Sequence, residues 1–233
     1  MTLVSEPVPA PRPPRPVLET IYAFPPNRDT MGGTSYFIVA QDQAGQPANI
    51  LIDTPAWHTD TAQFIQGHGG VRWWVMTHRN GMGQVTPIQA TVQCELVLQE
   101  QEAYLLPNIE GRVTFQQKMA LGDIATVRWT PGYSPGSACL YYKAHGGVLF
   151  TGRHLLPNQD GQMTALRFSK TFHWPRQLSQ IQRLQQDFST DTLAYICPGA
   201  NLGFLRGKTV VADAYEQLQS IDVEALRLMQ PGL

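Results

Sequence analysis

The same order of three patterns occurs twice in this 233-residue chain, and few folds accommodate it. Tyr36 to Ala40 and Ile50 to Asp53 are apolar runs joined by the polar, Gly-containing stretch Gln41 to Asn49, which predicts a strand pair. Asp60 to Gly67, with Ala62, Phe64 and Ile65, predicts a short helix stopped by Gly67, Gly69 and Gly70. Val71 to Met76 follows as a continuous β-branched and aromatic run, the pattern of a strand covered on both faces. Further on, Cys139 to Lys143 and Val148 to Thr151 flank the hairpin turn Ala144 to Gly147. Leu178, Ile181, Leu184 and Phe188 then recur at helical spacing behind Pro175, and Leu193 to Cys197 reads as another buried strand. Hairpin, helix and buried strand in duplicate predict an α/β domain with helices outside mainly buried sheets.

The remaining segments fit around these two units. Val85 to Gln93 predicts a short helix, Glu95 to Leu98 a strand, Gln101 to Leu106 a helical turn and Ala125 to Thr130 a strand. Val210, Val211, Ala214, Tyr215 and Leu218 share one helical face, followed by an amphipathic turn over Val223 to Met229. Six prolines between Pro7 and Pro16 fix φ and remove amide donors, so residues 1–17 are expected to be a flexible tail and 18–233 the folded domain.

Composition removes several classes of function. Charged residues are 15% of the chain, against roughly 25% in an average globular protein, and the formal net charge is −1. No basic face for nucleic acid is expected. The three cysteines, Cys94, Cys139 and Cys197, are too far apart for a CxxC motif. A reducing, cytoplasmic setting is the simpler expectation, and no apolar run reaches the roughly 18 residues of a membrane span. Six His are enough to build a metal site, so their positions decide the matter.

In open α/β architectures the chemistry gathers at the carboxyl ends of strands, here Asp53, His78, Tyr133, Arg153 and the loop Pro198 to Asn201. These ends resemble, in order, the motifs of the metallo-β-lactamase superfamily. Ile50-Leu51-Ile52-Asp53-Thr54 resembles its first motif, a strand ending in Asp. Thr130-Pro131-Gly132-Tyr133-Ser134-Pro135-Gly136-Ser137 is similar to its T-P-G-H-[ST]-P-G-S segment at seven of eight positions. Leu149-Phe150-Thr151-Gly152-Arg153 resembles its strand ending in Gly-Asp, and Ile196-Cys197-Pro198-Gly199-Ala200 its P-G-H ending. The resemblance covers roughly residues 20–205 and implies a four-layer αββα sandwich of two sheets.

The metal ligands that this resemblance implies are mostly replaced. Where the superfamily carries T-H-x-H-x-D-H, the chain has Thr77-His78-Arg79-Asn80-Gly81-Met82-Gly83. Asn80 stands for the second His, Met82 for the Asp and Gly83 for the last His; Tyr133, Arg153 and Ala200 replace the remaining ligands. One ligand position of seven, His78, is kept. Neutral amide, thioether and methyl groups are poor or impossible partners for zinc. A guanidinium about 4 Å from a divalent ion costs on the order of 8 kcal/mol at an effective dielectric near 20. Arg153 is therefore expected to substitute for the metal's charge, with Asp53 as its nearby counter-charge.

The first functional expectation is a non-catalytic binding or assembly module that holds no metal cofactor and engages a protein partner. A hydrolase of an ester, thioester or phosphoester is the alternative, with His78 as base or as ligand of one zinc or iron ion and with Tyr133 and Arg153 holding an oxyanion. A third is a small-anion sensor in which His78, Arg79, Asn80, Tyr133 and Arg153 line the cavity. His58, His68 and His154 lie in loops expected near the same face, but no family spacing joins them to His78. Cys197 is weighed as a nucleophile and read instead as an inert strand residue.

Overall fold

In the computed structural model, which describes residues 12–232, the apolar runs form two sheets with a buried layer between them. The first has seven strands in sequence order, β1 (Arg15–Leu18), β2 (Ile21–Ala23), β3 (Tyr36–Ile38), β4 (Ile50–Ile52), β5 (Trp73–Val75), β6 (Glu95–Gln99) and β7 (Arg112–Phe115). Helices α1 (Thr59–Gly67) and α2 (Val85–Val92) link β4 to β5 and β5 to β6, and both pairs are parallel, as crossovers of this kind require. After Gln116 and Gln117 the chain enters a second sheet through β8 (Lys118–Leu121), β9 (Ala125–Trp129), β10 (Ala138–Tyr142) and β11 (Val148–Gly152). A two-stranded ribbon of β12 (Leu156–Pro157) and β13 (Met163–Thr164) precedes α3 (Trp174–Asp187), which returns the chain to β14 (Tyr195–Pro198) beside β11. The order of this sheet is β14-β11-β10-β9-β8, and α4 (Ala214–Gln219) and α5 (Val223–Arg227) follow it.

The duplication read in the sequence is visible in the pairing. Antiparallel β3/β4 followed by α1 and parallel β5 matches antiparallel β10/β11 followed by α3 and parallel β14. Alternate residues on each central strand enter different layers. Tyr36, Ile38, Ile50, Ile52 and Val75 meet Val127, Leu140 and Phe150 between the sheets. Phe37, Leu51 and Trp74 face outward onto Ile65 of α1 and Ile88 of α2. Cys139, Leu149 and Ile196 face Leu178, Ile181 and Leu184 of α3. Both faces of a central strand are thus dry, so its sequence reads as an unbroken apolar run. Each such side chain contributes about 1.5–3 kcal/mol by burial.

Three expectations change. Of the stretch read as a tail, residues 1–11 lie outside the described residues, whereas Arg15–Leu18 form an edge strand paired with β2, so the boundary at residue 17 falls inside an element. Pro16 fits there because an edge strand tolerates a missing donor. The helical face drawn from Val210 to Leu218 is a helix only from Ala214. Val211 instead exchanges two backbone hydrogen bonds of 2.9 Å with Ile196, and Asp213, at φ +52°, separates that bridge from α4. Strands β7 and β8 carry the chain from one sheet to the other and were not expected.

The sheets are stitched together at one rim. Thr34 N donates to Gly199 O and Ala138 N donates to Thr77 O, each at 2.8 Å, and the Tyr36 hydroxyl donates to Pro198 O at 2.7 Å. Tyr36→Phe keeps the ring but leaves the buried Pro198 carbonyl without a donor, at a cost of about 1–3 kcal/mol. Urea unfolding is expected to show this as a lower midpoint with an unchanged slope. A loss below about 0.5 kcal/mol, the range of neutral surface changes, would show that this stitch carries no weight.

Candidate functional site

The stitched rim carries the strand ends picked out in the sequence. Asp53 follows β4, Thr77 and His78 follow β5, Tyr133 lies between β9 and β10, Arg153 follows β11, and Gly199 and Ala200 follow β14. Asp53 occupies the left-handed region at φ +54°, which Asp tolerates better than most side chains. Its backbone is held by Asp53 N donating to Val75 O at 2.9 Å and by the Trp74 indole donating to Asp53 O at 3.1 Å. Gly81 lets the following loop close over the carboxylate, because a Cβ there would collide with Asp53 Oδ1.

Thr77 organises the buried polar groups. Its N–H donates to Asp53 Oδ1 at 2.8 Å, and its hydroxyl donates to Oδ2 at 2.6 Å. The same hydroxyl oxygen lies 2.8 Å from His78 Nδ1. With the threonine proton committed to the carboxylate, Nδ1 is the donor of that pair, and His78 Nε2 is left as a buried acceptor without a partner. Burial pushes the His78 imidazole down to about 3, with the charge of Arg153 adding to the effect. Burial lifts Asp53 to about 6, against the opposing pull of the Thr77 hydrogen bonds and of Arg153. At neutral pH the 3.7 Å approach of His78 to Asp53 is therefore between a neutral ring and a carboxylate.

Arg153 does not form the expected ion pair with Asp53. Both Asp53 oxygens are taken by Thr77, and Arg153 Nη2 instead donates to the carbonyls of Thr30 and Met31, at 3.2 and 2.7 Å. Its charge still acts on Asp53 and His78 across the site. Among the described residues Arg153 has no carboxylate within ion-pair distance. Arg79, by contrast, donates at 2.9 Å to Glu102, whose side chain is 2% exposed. The Tyr133 hydroxyl donates to Asn80 Oδ1 at 2.8 Å, and its ring meets that of His78 edge-on at 5.3 Å.

These residues do not fit a divalent ion. His78 offers one free nitrogen, Nε2, Thr77 already donates to both Asp53 oxygens, Asn80 is bonded to Tyr133 and Met31, and Met82 is buried with the α1 and α2 layer. Among the described residues no three His, Cys, Asp or Glu side chains gather into a set able to hold a metal. The other imidazoles stand elsewhere. His68 packs on Phe64 and Tyr22, His145 pairs with Thr20, and His173 caps α3. His154 is buried with neither ring nitrogen partnered. Cys197 is in the central core, where burial drives its thiol far up and makes it inert.

A cleft of about 480 Å³ is lined by Met31, Arg79, Asn80, Tyr133, Ser134, Pro135, Arg153, Phe168, Ser169, Lys170 and Phe172, while His78, expected in its lining, is buried behind Tyr133 and does not line it. Arg79, Asn80, Tyr133 and Arg153 were expected there. Met31 and the Phe168–Phe172 segment were not, since no periodicity marks them, and their only signal is aromatic rings in an otherwise polar loop.

The buried groups set a sign for acid stability. Burial holds His78 and His154 down to about 3, whereas unfolded imidazoles protonate near 6.5. Each therefore removes stability as pH falls below about 6.5, approaching 1.4 kcal/mol per pH unit. Asp53 acts oppositely. Its folded carboxyl binds a proton at about 6 and its unfolded one near 3.9, so protonation adds stability between those values. Two imidazoles outweigh one carboxyl, and the unfolding temperature is expected to fall from pH 7 to pH 5. His154→Phe, which removes one titrating ring that has no hydrogen-bond partner, is expected to flatten this dependence. An unchanged pH profile in that variant would exclude a neutral buried His154.

No protein-family model matches the sequence, and no curated protein is detectably similar to it. Solved structures do share its architecture. The DIM-1 metallo-β-lactamase exposed to ceftazidime superposes with a TM-score of 0.66 at 13% identity, covering 94% of this chain and 99% of that one. An archaeal metallo-β-lactamase superfamily protein from Sulfolobus tokodaii gives 0.57 at 10% identity, over 93% and 90% of the two chains. A quorum-quenching N-acyl homoserine lactone hydrolase gives 0.54 at 15% identity, over 78% and 84%. With two stitched sheets between helical layers and these neighbours in common, the chain carries the metallo-β-lactamase fold.

Proposed function

We propose that the protein is a non-catalytic binding module on the metallo-β-lactamase fold, with a small anionic ligand in the cleft beside His78, Tyr133 and Arg153. The observation that carries this reading is Arg153, a half-buried cation without a carboxylate partner, placed at the strand end among the groups that would otherwise serve an ion. A fixed positive charge there repels a divalent cation and attracts an anion. Three buried, unpaired cysteines suit a cytoplasmic protein.

A hydrolase with His78 as base is the competing reading. It draws on the unpartnered Nε2 and on its fixed tautomer. An imidazole held at about 3 is a weak base at neutral pH, which favours binding over catalysis. Elemental analysis of the purified protein is expected to find no stoichiometric zinc, iron or manganese, and a chelator is expected to leave the unfolding temperature unchanged. About one metal per chain, lost in His78→Ala, would overturn the reading. So would esterase or phosphodiesterase turnover that disappears in the same variant.

A further inference from the structure

We infer that the cleft selects a small monoanion carrying an apolar body, of the aryl or alkyl carboxylate class. This inference rests on the cleft being a ligand site and adds what the ligand must look like. The charge count sets the head group. Arg79 is neutralised by the buried Glu102, which leaves Arg153 and Lys170 as the two cations of the lining without an ion-pair partner among the described residues. The buried carboxylate of Asp53 is close enough for Arg153 to act on it and offsets one of these two charges. A monoanion balances the one positive charge that remains, whereas a dianion would leave excess negative charge facing Asp53 and Glu102.

The apolar wall sets the rest of the molecule. Phe172 is 50% exposed and Met31 63% exposed, and with Phe168 and Pro135 they make a surface that water covers poorly. Tyr133 and Phe168 already meet edge-on at 6.3 Å, so a further ring laid against them extends an aromatic cluster. A volume of about 480 Å³ is in the range of small-molecule clefts and exceeds what a bare inorganic ion would fill. Arg153 donates to Thr30 and Met31 through Nη2, so the guanidinium is already oriented before a carboxylate arrives, which lowers the ordering cost of binding.

Calorimetric titration with four probes tests this. Phenylbutanoate has both charge and ring, phenylbutanamide lacks the charge, acetate lacks the body, and inorganic phosphate is mainly a dianion at pH 7.5. Phenylbutanoate is expected to bind saturably and at least about tenfold more tightly than the other three, a difference of about 1.4 kcal/mol. Phe172→Ala, a change at an exposed position, is expected to weaken phenylbutanoate several-fold and to leave acetate unaffected. Arg153→Met is expected to abolish the preference for phenylbutanoate over phenylbutanamide. If Arg153→Met fails to fold, the Phe172→Ala comparison decides alone. Equal binding of acetate or phosphate would overturn the apolar-body inference while leaving an anion site in place. Equal binding of phenylbutanamide would overturn the charged head group, and no binding by any probe would remove the cleft reading altogether.

Discussion

Thr77 is the residue on which the site depends. Its N–H and hydroxyl hold the two oxygens of Asp53, its hydroxyl oxygen receives His78 Nδ1, and its carbonyl accepts the N–H of Ala138 from the other sheet. Gly152 packs against it at φ +52°, where a Cβ would strike the threonine hydroxyl. One buried side chain thereby fixes the ends of β4 and β5 and bears on the ends of β10 and β11. A buried carboxylate is expensive unless its lone pairs are filled. Thr77 donates to both oxygens of Asp53 without a cation, which lowers the cost of burying that carboxylate.

That arrangement redirects Arg153. Thr77 already donates to both oxygens of Asp53, and Arg153 donates instead to the carbonyls of Thr30 and Met31. The connection between β2 and β3 is drawn over the site in consequence, with Met31 held at φ +53° and its sulfur accepting from Asn80 at 3.1 Å. The cation thus links Met31 to the end of β11, and the two sides of the cleft are set by one residue.

Much of this was legible in the sequence because the central strands are buried on both faces and announce themselves as apolar runs. Ile50–Ile52, Trp73–Val75 and Val148–Gly152 are of this kind, and the polar residues that end them mark the rim. Edge strands were harder. Val113 and Phe115 in β7, and Met119 and Leu121 in β8, do alternate toward the central layer, but over four residues such alternation is too short to separate from chance. Asp53 and Arg153 were visible as residue types, yet the partners of Arg153 were not, since a carboxylate already engaged on both oxygens by a neighbouring threonine cannot be recognised without coordinates. Glu102 under Arg79 and the aromatic segment at Phe168–Phe172 depend on tertiary approach in the same way.

Arg153, where the resembled motif ends in Asp, acts in two directions at once. It places a permanent charge where a divalent ion would be repelled, and it supplies a fixed donor at the floor of an apolar-walled cleft. Ala or Gly at this position would leave the cleft without that donor. Among the described residues the half-buried guanidinium donates only to carbonyls, with Asp53 acting on it from further off. The cleft has room for a counter-charge beside Arg153, and that is the place the proposed anion would take.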